Sequence, residues 1–238
     1  MAAPKQPPVL EIDSVSKRYG TLRPLRISSL TLVVGERVSI GGMDAGAGEL
    51  LVNLVTGASL PDSGQIRVFG RATSDIADGD AWLESLEQFG IVSPRAVMLE
   101  GSTLLENLAM PFTLTIDPVP DDIAARARDL AAQCGIDPDR WLGVRAGELP
   151  PDIRVRAHLA RSIALGPQLL ILEHPTAEVQ EAARQQLADD IVRSCSGRVT
   201  ALVLTNDDTF AKAVAPRNLK LDAATGALKP IGKGWFTW

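Results

Sequence analysis

No lysine occurs between Lys17 and Lys212 of this 238-residue chain, so any site in that stretch must do without a lysine ammonium. Cysteine is nearly absent as well. Cys134 and Cys195 stand alone, which excludes a disulfide framework and any CxxC metal spacing and points to a reducing compartment. No apolar run approaches the roughly 20 residues that span a bilayer, so membrane association is expected only through a partner. The opening MAAPKQPP has no apolar core and is not expected to act as a signal peptide. Basic residues are outnumbered: the net charge is −5, which gives no basis for non-specific nucleic-acid binding. There is no internal repeat, and no low-complexity segment beyond the proline-rich start. At 45% hydrophobic and 22% charged residues, the chain can build one large domain, or a domain with a subdomain.

What is present is a glycine-rich turn in a strand–turn–helix frame. Arg37 to Gly57 reads RVSIGGMDAGAGELLVNLVTG. Val38 to Ile40 is a short buried strand, Gly41, Gly42, Gly46 and Gly48 form the turn, and Leu50, Leu51, Leu54 and Val55 recur at helical spacing. Such a frame converges backbone N–H groups and a helix dipole on an anion. The usual phosphate cradle is GxxxxGK[ST], its Lys on the β- and γ-phosphates and its Ser/Thr on Mg²⁺. With Gly42 as the first Gly, Ala47 takes the second Gly place, Gly48 the Lys place and Glu49 the Ser/Thr place. A cation is lost and an anion gained where a polyanion would sit. A pair of unit charges at about 4 Å is worth roughly 4 kcal/mol at an effective dielectric near 20.

In chain order, strands are expected over Val9 to Gly20, Ile27 to Val34, Gln65 to Gly70, Phe89 to Ser93, Gln168 to Leu172 and Val199 to Thr205. Helices are expected over Ala81 to Gln88, Thr103 to Ala109, Asp121 to Cys134, Asp152 to Leu165, Ala177 to Ser194 and Asp208 to Val214. Leu219 to Asp222 and Ala227 to Lys229 suggest a terminal hairpin. Strands alternating with helices imply an α/β sheet with parallel members, and the helical block between about 96 and 166 reads as an insertion.

Taken together, these segments resemble the nucleotide-binding domain of ABC (ATP-binding cassette) transporters, over roughly Val9 to Leu228. Tyr19 in KRYG sits where that family stacks an aromatic on adenine. The loop with Gly42, Asp44, Gly46, Ala47, Gly48, Glu49 and Leu50 sits at Walker A, and Pro94 at the Q-loop Gln. LPPDI (Leu149 to Ile153) takes the place of the LSGGQ signature. LLILEHPT resembles Walker B, with Glu173 at the Mg²⁺-linked Asp and His174 at the catalytic Glu. Gln180 falls near the D-loop Asp, and Asn206 takes the place of the switch His. The resemblance implies one domain over 1–238 with a P-loop NTPase (RecA-like) core of about 8–95 and 166–230. That core has a mostly parallel sheet and an N-terminal antiparallel β subdomain. A helical subdomain is inserted at about 96–165, and an aromatic tail follows at 231–238. It implies ATP and Mg²⁺ as possible cofactors, pairing into a homo- or heterodimer, and a transmembrane transporter subunit as partner. The chain would then be cytoplasmic, peripheral to the inner face of the membrane.

Each departure from the family pattern has a chemical meaning. Without the Walker A Lys, charge neutralisation is lost, the main contribution a protein makes to phosphoryl transfer. Glu173 keeps a carboxylate for a metal, or is satisfied by backbone donors. His174 offers an imidazole as proton acceptor but no carboxylate to orient water, or is a hydrogen-bonded structural residue. Asn206 cannot become a cation. Pro150 removes the signature serine, and Pro151 removes a backbone N–H. The family sandwiches nucleotide between one Walker A and the partner's signature, so both composite sites would be damaged. The expected function is a hydrolysis-deficient transport subunit; the alternatives are a nucleotide sensor without turnover and a weak hydrolase using Glu173 and His174. Three structural expectations accompany these. Glu49 fills the anion site at the helix N-terminus, and Arg154, Arg156 and Arg161 form a solvated face or a dimer contact. The tail GKGWFTW is expected to dock rather than stay in water.

Overall fold

The computed structural model of the chain describes residues 8–19, 23–195 and 199–231. Apolar alternation at the start forms β1 (Pro8–Lys17) and β2 (Leu25–Val33), paired antiparallel. At Ser14, with φ 51, the buried set of β1 changes parity from Leu10 and Ile12 to Val15; on β2, Leu30 faces Ile12 and Ile27 faces Val15, so both strands change face together. β3 (Arg37–Gly41) feeds α1 (Ala45–Val55), and β4 (Ser63–Val68) with β5 (Arg71–Ala72) completes a first sheet of order β2-β1-β4-β5. α2 (Gly79–Leu86) leads into β6 (Phe89–Val92).

A helical stretch follows: α3 (Leu104–Ala109), α4 (Asp121–Gln133), α5 (Pro138–Trp141) and α6 (Pro151–Ile163). Thr103 and Glu106 close a reciprocal capping box at the start of α3, satisfying two helix-end donors. The chain then returns through β7 (Leu169–Glu173), α7 (Glu181–Ser194), β8 (Thr200–Leu204), α8 (Asp208–Val214), β9 (Arg217–Asp222) and β10 (Ala227–Pro230). The second sheet has the order β10-β9-β3-β8-β7-β6, parallel except for β10. Successive residues of β7 serve opposite faces: Leu169 and Ile171 join one core with Ile40, Leu51 and Leu204, while Leu170 and Leu172 join another with Leu159, Leu187 and Val203. A sheet covered on both faces explains the unbroken apolar runs of β7 and β8, each buried throughout.

The α/β class read from the sequence is the class observed. Some boundaries differ. The helix expected from Ala177 begins at Glu181, because residues 174–179 close two turns, Ala177 N to His174 O at 3.0 Å and Val179 N to Thr176 O at 3.2 Å. β1 ends at Lys17 rather than Gly20, and Gly20 lies outside the described residues. The short β5 and α5 were not foreseen. The tail from Gly232 to Trp238 also lies outside the described residues.

Candidate functional site

Parallel register brings four strand ends to one edge. Val92 pairs with Leu172, Leu172 with Val203 and Ile40 with Leu204. The ends of β3, β8, β7 and β6 and the residues after them therefore lie side by side: Gly42 to Asp44, Thr205 to Asp207, Glu173 with His174, and Ser93 to Arg95. The carboxyl edge of parallel strands is where open α/β sheets take their ligands. Here it opens into a cleft of about 770 Å³, lined by Gly46, Glu49, Arg95, Glu173, His174 and Asn206 among others.

The loop is held by its own chain. Gly42 has φ 82, and a Cβ there would meet Leu221 O at 2.8 Å, so only glycine fits. Gly42 N–H donates to Asn206 Oδ1 at 2.7 Å, and Asn206 Nδ2 donates to Met43 O at 2.6 Å. One side chain, Asn206, thus clamps both ends of a two-residue turn. Asp44 caps α1, its Oδ1 accepting from Ala47 N at 2.8 Å. This overturns the expectation for Glu49. It lies in the second turn of α1, half exposed, with Oε2 3.4 Å from Arg95 Nη1, while Asp44 is the acid at the helix start. Leu50 packs against the core beside it. Tyr19 comes to the loop, its Cε2 3.5 Å from where a Cβ of Gly46 would be. Burial first, and the Asp44 carboxylate second, hold its phenol above the ordinary tyrosine range.

At Gly48, read from the sequence as the Lys place, a Cβ would lie 3.1 Å from His174 Nε2 and 3.5 Å from its Cδ2. The imidazole fills the room into which a side chain would project. His174 has φ 45, a left-handed backbone that costs a non-glycine residue about 1–2 kcal/mol. Its N–H donates to Leu204 O at 2.8 Å, but Nε2 is buried with no partner, the one such side-chain atom among the described residues. The reading of His174 as a hydrogen-bonded structural residue is therefore corrected for Nε2.

Sequence reasoning singled out Pro94 and passed over its neighbour. Pro94 is exposed in a tight turn, with Arg95 N donating to Ser93 Oγ at 3.2 Å and Ala96 N to Ser93 O at 3.0 Å. The turn aims Arg95 at Glu173: Nη1 donates to Oε1 at 2.7 Å and Nη2 to Oε2 at 2.8 Å. Glu173 is 1% exposed and is satisfied by a guanidinium rather than by backbone donors, one of the two readings its sequence allowed. A signal was available, since a lone Arg follows Pro94 at the strand end beside a site carrying two acids.

The three arginines of α6 do not form a solvated face. Arg154 forks onto Glu100 at 2.7 and 3.1 Å and reaches Ala146 O at 2.8 Å. Arg161 donates to Val97 O at 2.8 Å. Arg156 is buried on Asp190, at 2.8 Å. At the signature place, Pro150 is the N-cap of α6 and Pro151 its first residue, so the helix start lacks the N–H groups of both. Burial pushes the Cys134 thiol up to about 12 and the Cys195 thiol up to about 11, which leaves both unreactive.

Known proteins place this architecture. The family model described as "ABC transporter" matches residues 25–177, more than half of the chain. The chain belongs to the ABC transporter family. It is 27% identical over 216 residues to a sulfate/thiosulfate import ATP-binding protein of Chromobacterium violaceum, covering 90% of this chain and 56% of that protein. It is 25% identical to a lipoprotein-releasing system ATP-binding protein of Psychrobacter arcticus, covering 90% of this chain and 95% of that one. The chain thus spans little more than half of the sulfate-type relative and nearly all of the lipoprotein-type one. Among solved structures, an ATP-binding cassette dimer bound to ADP and phosphate superposes with a TM-score of 0.74 at 19% identity, covering 92% of this chain and 96% of that one. CbiO1 of Clostridium perfringens gives 0.76 at 17% identity, covering 93% and 86%. These likenesses establish the P-loop NTPase cassette fold.

Family resemblance implies Mg²⁺ at Glu173. Arg95 already puts a permanent positive charge on both oxygens of that buried carboxylate, and a second cation there would be repelled, so the residues present do not fit the metal.

Proposed function

We propose that this chain is an ATP-binding-cassette subunit that does not turn over ATP and serves as a peripheral, structural component of a membrane transport complex. The observation that carries the reading is at Gly48. The loop has no cation, and His174 occupies the space one would need. Phosphoryl transfer depends on positioning and charge neutralisation, and neither is provided there. The prolines at the start of α6 extend the loss to the site a partner cassette would share. In this reading 96–165 is the helical subdomain, and the chain pairs with itself or a sister cassette at the inner face of the membrane. The transmembrane partner docks between Pro94 and Pro111, where Ile91, Ala96, Met110, Pro111, His158 and Arg161 line a cleft of about 340 Å³ and Val97 is 77% exposed.

A nucleotide sensor without turnover is the second reading, favoured by Tyr19 standing against Gly46 at the loop. Thermal melting with and without Mg-ATP, paired with phosphate release, separates the two. The structural subunit shows no shift and no release. A ligand at ~100 times its dissociation constant would stabilise by about 2.7 kcal/mol, the mark of the sensor. Release abolished by His174→Ala would overturn both in favour of an enzyme.

A further inference from the structure

The Arg95 guanidinium spans the two carboxylates at the metal-side places of the loop and of β7. Besides its fork onto Glu173, its Nη1 lies 3.4 Å from Glu49 Oε2. Glu173 is closed to solvent, whereas Arg95 and Glu49 are 43% and 47% exposed, so the arginine covers the buried acid from the cleft side. Mg²⁺ demands near-octahedral oxygen ligands at about 2.0–2.1 Å. At Glu173 it would lie against a guanidinium that already forks onto both oxygens and covers them from the cleft side, and the two cations would repel. A guanidinium is permanently charged and matches that carboxylate geometry. The position is also fixed: the Ser93 turn sets the Arg95 backbone, and the pairing of Val92 with Leu172 sets that turn beside Glu173.

We propose that Arg95 is a built-in cation that takes the place of Mg²⁺ at this site, neutralising Glu173, standing beside Glu49 and closing the position to divalent metal. The inference rests on the functional reading for the places given to Glu49 and Glu173; its test reads metal rather than turnover.

The test compares the full chain with Arg95→Gln and with Arg95→Gln/Glu173→Gln, each melted with and without millimolar Mg²⁺. The wild type keeps its melting temperature when the metal is added. Arg95→Gln melts lower by roughly 5–10 °C, since a buried carboxylate has lost its partner, and Mg²⁺ restores part of that loss. The double variant does not respond. Mn²⁺ supplies an arm that needs no Arg95 variant: amide signals of Leu204 and Thr205 stay sharp in the wild type and in Glu49→Gln, because Glu173 remains covered in both. Broadening in either protein, a Mg²⁺ shift in the wild type, or a folded Arg95→Gln that ignores metal would overturn the proposal. Metal binding without phosphate release would sink this inference alone, whereas Mg²⁺-dependent release would sink the functional reading.

Discussion

Nε2 of His174 lies 3.1 Å from the point a Cβ on Gly48 would occupy. The end of β7 and the first turns of α1 are therefore coupled through one small volume. Gly48 sits inside α1, where alanine is worth roughly 0.5–1 kcal/mol more than glycine. Gly48→Ala in the wild type is expected to be close to neutral, because the crowded imidazole offsets the gain in helix propensity. In a His174→Ala background the same change should stabilise by about 0.5–1 kcal/mol. A double-mutant cycle in urea measures the coupling; values additive within about 0.3 kcal/mol would show that the two residues do not compete for this space. Gly48→Lys alone should lower stability and yield no ATPase activity.

Acid stability should depend on His158. It is buried on α6, and burial, with Arg161 and Arg154 beside it, pushes its imidazole down to about 4; Glu100 acts the other way. In the unfolded chain a histidine titrates near 6.5. Between these values the unfolded chain binds more protons, so stability rises with pH across the window, is complete above about 6.5, and falls on acidification toward about 4. The full difference is on the order of 3 kcal/mol. His158→Gln should flatten the slope of unfolding free energy between these limits; an unchanged slope would assign the acid limb to carboxylates.

The frame of this site is written locally in the sequence, and its contents are not. The buried runs of β7 and β8 and the glycine turn after β3 follow from apolar patterning and glycine placement. Their parallel register brings Gly42, Glu173, His174 and Asn206 together, and the order of elements already implies that meeting. What Glu173 touches depends on Arg95, 78 residues away in the chain, and on a turn of two residues that carries no periodic signal. Glu49 looked like a first-turn acid because the start of α1 cannot be read to within a turn; Asp44 takes the cap instead. The α6 arginines misled for a similar reason. Helical spacing shows that a residue faces away from one stripe, but not that Asp190 on α7 waits there.

Asp190 is the hub of the packing between α6 and α7. Its carboxylate accepts from Arg156 Nε at 2.8 Å, Gln186 Nε2 at 3.1 Å and Arg193 Nη2 at 2.5 Å, while fully buried. Asp190→Ala leaves Arg156, itself 3% exposed, with Asp152 alone. Breaking a buried pair from one side typically costs about 3–5 kcal/mol, and the remaining Asp152 contact places this case near the lower end. The urea midpoint should fall with an unchanged denaturant slope. Asp190→Asn, which keeps an acceptor for Arg156, should lose less. Equal losses would locate the effect in packing rather than charge.

Asn206 should control how tightly the loop is shut. Its bond from Gly42 N is made at an exposed position where water can replace it, and its bond to Met43 O is only partly buried. The stability lost in Asn206→Ala is therefore modest, about 1–2 kcal/mol. The local effect is larger than the global one, because no other side chain holds the Gly42 N–H. Hydrogen exchange at Gly42 should speed up, while the Thr205 N–H, which donates to Ile40 O at 3.0 Å, keeps its protection. Equal acceleration at both amides would mean that the variant loosens the whole sheet. No acceleration at Gly42 would mean that the loop holds its shape without Asn206, and that this side chain is not what keeps the turn closed.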